Sequence, residues 1–316
     1  MLVTLAATAA VSVPWVPGAV DAVPDWLPPA GSVTITTCFA FGLALRTGGR
    51  ALVAGGLAAV LSTGSVASGT PVVVAAAAIA TAVLAAVLGV MATKPAARFA
   101  AVVRECVYAV LVAVVGALAV VAYDAPLSAV RAGYVVLALS LLGALSLAYR
   151  LAAGLHGLGR RGVVMVLAGV GLLAVTLAYT AALTRWGSPG VRMTFEDTTR
   201  WVRDLLGAVP RPTEFLLGIP ALAWGVSTRA RRRQGWWGTA FGAAGLAVVS
   251  ATLLDPGLSL EEAGLRTAYS LLLGLALGYL VIRADRFLSG ARGRRARRLE
   301  EASAHRPEPG RTQALL

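Results

Sequence analysis

The feature that most constrains this chain is a succession of apolar runs, each about 20 residues long, separated only by short charged breaks. A helix of about 20 residues rises about 30 Å, the thickness of a bilayer's hydrocarbon core. In that solvent every backbone N–H and C=O must find a partner within the chain, which open loops and sheet edges do not provide. The runs fall at 3–20, 31–46, 51–69, 71–92, 105–123, 127–149, 162–184, 214–228, 236–254 and 264–283. The expectation is an all-α, polytopic helical membrane protein with about ten transmembrane helices. The first run is the weakest: Pro14 and Pro17 interrupt it, and no basic residue precedes it as a cleavable signal peptide would require.

Composition enters here as an exclusion. The chain is 58% apolar and 14% charged, against about 45–50% and about 25% in soluble domains. A water-soluble enzyme, a disulfide-stapled secreted module and a nucleic-acid binder with a globular core are excluded. Cys38 and Cys106 fall within or beside apolar runs, which predicts two reduced thiols. The net charge is +13, and Arg supplies 27 of the 28 basic residues. The Arg, Ala, Gly and Val bias, with no Asn at all, matches the coding habit of a high-G+C bacterium, which points to that cell's plasma membrane.

The bases sit in short loops, where they report orientation rather than nucleic-acid binding. Alternate connections carry 21 bases with five acids, and seven bases with ten acids, a net of +16 against −3. Lys and Arg near span ends stay on the cytoplasmic side. Both termini are therefore expected there.

Two segments stand outside the spans. Residues 284–316 read as a structureless basic tail, in which Arg292, Arg294, Arg295, Arg297 and Arg298 suit anionic lipid headgroups. The loop 185–213 contains an amphipathic helix over 194–207, with Thr194 as N-cap and Gly207 as stop. Phe195, Trp201, Val202, Leu205, Leu206 and Val209 share one face. Glu196, Asp197, Arg200, Arg203 and Asp204 share the other, and form a candidate outer-face site. Such a helix lies flat at the outer surface or docks a partner membrane protein.

Soluble-enzyme motifs are missing, and His156 and His305 are the only histidines, so no metal, cofactor or triad is called for. Every ionisable group is expected at a span end, Glu105, Asp124, Glu262 and Arg266 among them, which disfavours proton coupling through a buried carboxylate. The intramembrane polar features are neutral. Thr34, Thr36 and Thr37 in the second run, and Pro220 and Trp224 in the eighth, are candidate cavity-lining residues. Ten spans can divide into two five-helix halves, in which the eighth run and the glycine-interrupted third would correspond as broken helices. Gly238-x-x-x-Gly242 and Gly274-x-x-x-Gly278 predict close packing of the ninth and tenth spans.

In span count and in the placement of both ends, the chain resembles the drug/metabolite transporter superfamily; the resemblance is one of topology, without a shared residue motif, and no site is carried over. The expected function is that of a permease-like membrane protein for a small or lipid-like solute. Two alternatives remain. One is a non-catalytic subunit or scaffold of an envelope or transport complex. The other is a membrane enzyme acting on a lipid-linked substrate at the outer face, with Asp21, Asp25, Glu196, Asp197 or Asp204 as its acids.

Overall fold

The computed structural model describes residues 2–12, 24–152, 159–186, 189–231, 235–255, 257–289 and 308–315, with residues 295, 298 and 302. Among these, every regular element is a helix. They are α1 (Leu2–Ser12), α2 (Leu27–Arg46), α3 (Ala51–Ser68), α4 (Pro71–Met91), α5 (Phe99–Val121) and α6 (Ala129–Leu151). After them come α7 (Gly159–Trp186), α8 (Pro189–Leu206), α9 (Ile219–Arg229), α10 (Gly235–Ser250) and α11 (Leu260–Ser289). A π-helical turn, Thr213–Gly218, runs directly into α9, and a 3₁₀ turn, Thr252–Leu254, follows α10.

Among the described residues, seven helices are long and apolar enough to cross a membrane: α2 to α6, α10 with its following turn, and α11. The chain is thus a multi-pass helical membrane protein, in which seven of the ten expected runs meet this criterion among the described residues. The eighth run has a local break: it changes from π to α geometry just before Pro220, which leaves α9 short. Proline also opens helices here. Pro28 and Pro29 lie in the first turn of α2, and Pro71 begins α4, where a missing N–H leaves no bond unmade.

Helix α10 is the centre of the bundle and is buried along nearly its whole length. The glycine pairs of α10 and α11 both turn toward α9, not toward each other. A methyl at Gly242 would stand 2.8 Å from Leu222 Cβ, and one at Gly274 would stand 2.5 Å from Ile219 Cβ. Where the π turn crosses α10 the backbones nearly touch, and a methyl at Gly218 would lie 2.3 Å from Gly245 Cα. Small-residue spacing marks a face for close approach but does not name the helix that takes it.

Helix α3 is one uninterrupted α-helix at the periphery, where only Gly55, Ser62 and Ser65 are buried. The expected correspondence with the eighth run as paired broken helices is therefore absent. Cys38 and Cys106 are free thiols.

The amphipathic helix begins at Pro189 rather than at the expected Thr194 cap. Thr194 Oγ1 donates to Gly190 O at 2.9 Å and so belongs to the helix body. Gly207, at φ +75°, ends the helix as expected. Trp201, Leu205 and Leu206 are exposed, so this part of the apolar side of α8 is not covered by the bundle.

The expectation of a structureless tail fails at both of its described ends. Helix α11 continues to Ser289, and residues 308–315 lie against the bundle. Arg295 and Arg298 are exposed, while Arg292, Arg294 and Arg297 lie outside the described residues.

Candidate functional site

Three features concentrate the chemistry: a lateral groove and a polar cluster at each end of the bundle. The groove lies among α2, α3 and α4. The tight connection from α2 to α3 holds them together, Gly55 packs on the Phe41 ring, and α3 packs more closely on α2 than on α4. The resulting hollow is about 460 Å³ and is walled by Leu57, Leu61, Val73 and Leu84, with Ser62 and Ser65 between them. Thr36 is the one residue of α2 in its wall. Its Oγ1 lies 2.6 Å from Thr81 Oγ1, 2.8 Å from Tyr123 OH and 2.8 Å from Ser32 O. A buried hydroxyl hub therefore joins α2, α4 and the end of α5 directly behind an apolar groove. Thr34 and Thr37 instead donate to carbonyls of their own helix, Ala30 O and Val33 O, at 2.8 Å each. Pro220 is buried against Gly278 of α11, and the Trp224 ring covers Gly238 of α10. These two sit in helix contacts rather than with Thr36.

The end of the bundle that carries the chain's last described residues holds a network no sequence pattern announced. Arg46, Glu105 and Arg229 each have no solvent exposure. Arg229 donates through Nη1 to Thr93 Oγ1 (2.8 Å) and through Nη2 to Thr93 O (2.9 Å), and its guanidinium stacks 3.6 Å from the Trp236 ring centre. The strap 308–315 completes the network. Glu308 accepts from Nε and Nη2 of Arg229. Arg311 donates to both oxygens of Glu105 at 2.7 and 2.8 Å, and lies 4.1 Å from the Tyr108 ring centre. Arg46 donates to Met91 O (3.0 Å), Gly310 O (2.6 Å) and Gln313 O (3.0 Å), while Leu315 N donates back to Arg46 O (2.8 Å). Charges that span-boundary reasoning assigns to water are thus interior. One signal existed: Glu105 is the single acid among that side's bases before residue 285.

The opposite cluster lies beneath the end of α8. Glu214, in the π turn, is fully buried near Ser270, Arg211 and Arg266. Arg211 N donates to Ser270 Oγ at 3.2 Å, and burial holds the Arg211 guanidinium below its ordinary pKa, with the Glu214 carboxylate opposing. The expected Glu262–Arg266 pair forms at 3.0 Å, and Glu262 also meets Arg203 at 3.5 Å, which ties α8 to α11. Of the expected outer-face residues, Asp197 and Arg200 pair at 3.3 Å in the open and Asp204 is exposed. The Glu196 side chain and Asp21 lie outside the described residues. Asp25 and Asp124 share a separate hollow of about 380 Å³ at this end, with Asp124 in the left-handed region (φ 48°).

Among the described residues no group of three or more His, Cys, Asp or Glu converges as a metal site. No protein-family model, no curated protein and no solved structure matches the chain.

Proposed function

We propose that the chain is a permease-like membrane protein that takes a lipid-like solute sideways from the bilayer into the α2–α3–α4 groove, in the plasma membrane, with its strap end toward the cytoplasm. The observation that carries this reading is the groove itself: apolar walls at bilayer depth with hydroxyls of Thr36, Ser62 and Ser65 beside them. Such a lining suits an acyl or isoprenoid chain bearing a neutral polar group. The centre of the bundle is filled by α10, which leaves the side rather than the axis as the route. The two buried carboxylates, Glu105 and Glu214, belong to the clusters at the two ends of the bundle rather than to its mid-depth, which favours facilitated movement without ion coupling. The strap-end loops carry the excess of bases, which supports the orientation.

Native mass spectrometry of the protein in lipid nanodiscs tests this. One lipid-like adduct at fixed stoichiometry is expected, and Ala58→Trp, which fills the groove, should remove it. No adduct, or an adduct indifferent to Ala58→Trp, overturns the reading. A second reading, a non-catalytic subunit, is favoured by the uncovered apolar face of α8. It predicts a partner chain in constant ratio and no adduct.

A further inference from the structure

The lateral groove turns three polar side chains toward a ligand, and their hydrogen bonds set them apart. A hydroxyl has one proton to donate and two lone pairs with which to accept. Thr36 Oγ1 is filled by Ser32 O, Thr81 Oγ1 and Tyr123 OH. Ser65 Oγ gives its proton to Ser62 O at 2.7 Å and keeps its accepting side free. Ser62 Oγ has no partner among the described residues, although the residue is only 3% exposed and lines the groove. Every hydroxyl of α2 and α4 lies within bonding distance of a carbonyl of its own helix, the usual resort of Ser and Thr in a helix. Ser62 does not, and an unmet hydroxyl in apolar surroundings carries a cost that a ligand can relieve. Ser62 and Ser65 stand at i,i+3 and so share one face of α3. A ligand alcohol between them can accept from Ser62 Oγ and donate to Ser65 Oγ. An ester oxygen can only accept, and serves Ser62 alone. The groove wall carries no charged side chain, so a phosphate drawn into it would be buried unpaired.

We propose that the groove selects a long-chain lipid by its free alcohol, with Ser62 donating to the alcohol oxygen and Ser65 accepting its proton, and that it rejects the phosphorylated form of the same lipid. Ser62 and Ser65 are then the specificity-determining pair. The proposal rests on the reading of the groove as a lipid site and adds which lipids enter it.

Native mass spectrometry of the full-length protein in phosphatidylcholine nanodiscs, doped in turn with diacylglycerol, its acetyl ester or phosphatidic acid at equal mole fraction, tests the selection. The parent should retain diacylglycerol about tenfold more than the acetyl ester, the effect of about one hydrogen bond in an apolar site. Phosphatidic acid should be retained less than either, because its charge has no partner in the groove. Ser62→Ala should bring diacylglycerol down to the level of the acetyl ester while unfolding at the parent's temperature, since that hydroxyl bonds to nothing within the described chain. Ala58→Trp should remove all three lipids. Where retention is lost in Ala58→Trp, equal retention of diacylglycerol and its ester, phosphatidic acid held as well as diacylglycerol, or a preference that survives Ser62→Ala overturns this proposal and leaves the groove reading standing. Retention of no lipid, or retention indifferent to Ala58→Trp, overturns both.

Discussion

Arg311 closes both of its Nη groups on the carboxylate of Glu105, which lies 206 positions earlier in the chain and has no exposure to solvent. The pair couples the last turn of the chain to the first turns of α5, and through the Lys94 amide to the end of α4. Its energetic weight lies in what either partner leaves behind. A buried charge stripped of its partner is far costlier than the pair is favourable.

Arg311→Ala should therefore destabilise the protein by about 3 kcal/mol, near the low end for a broken buried pair because the exposed Arg104 still reaches Glu105. The double variant Glu105→Gln/Arg311→Gln should lose clearly less than the two single changes summed. A double-mutant cycle on thermal unfolding measures the coupling, and strict additivity would show the pair to be idle.

Gly218→Ala should cost about 3 kcal/mol, because the new methyl meets the Gly245 backbone rather than a side chain able to swing away. Gly56→Ala and Gly133→Ala, which meet nothing within 4 Å, serve as controls and should unfold within about 0.5 kcal/mol of the parent. Equal losses at all three positions would contradict the tight π-turn crossing.

Thr36→Val removes the shared partner of Thr81 and Tyr123 and should cost about 1–3 kcal/mol, since two buried hydroxyls lose an acceptor or donor at once. Tyr123→Phe breaks one bond and should cost about 1 kcal/mol. If Thr36→Val proves as mild as Tyr123→Phe, the hub is not a hub.

The contrast between legible and illegible features follows from how local each signal is. The 3.6-residue periodicity of α8 and the apolar length of α2 to α6 are properties of single segments, so the sequence displays them. The Gly238 and Gly274 spacings displayed a close-packing face, but the partner helix, α9, is chosen by the whole bundle. Arg46, Glu105 and Arg229 fall where apolar runs meet charged loops, and that position alone assigns them to water. Their partners include eight residues at the far end of the chain, which carry no apolar pattern and gave no reason to expect order. Glu214 was hidden for a similar reason: it opens an apolar run, and only the packing of α10 and α11 on the π turn encloses it.

Leu205→Glu on α8 should leave the bundle's unfolding unchanged but speed amide exchange across residues 198–206 about tenfold, since an exposed apolar face held only by lipid loses about 1.5–3 kcal/mol with that side chain. Unchanged exchange would mean that α8 does not rest on the bilayer.

The most direct test of the groove is photolabelling of the membrane-embedded protein with a lipid carrying a diazirine in its acyl chain, with the adducts mapped by mass spectrometry. Labels concentrated on Leu61, Ser62, Val73 and Ala77, and lost in Ala58→Trp, are the predicted result. Labels spread evenly over outward residues such as Leu52, Val60 and Leu167, with no excess in the groove, would contradict it.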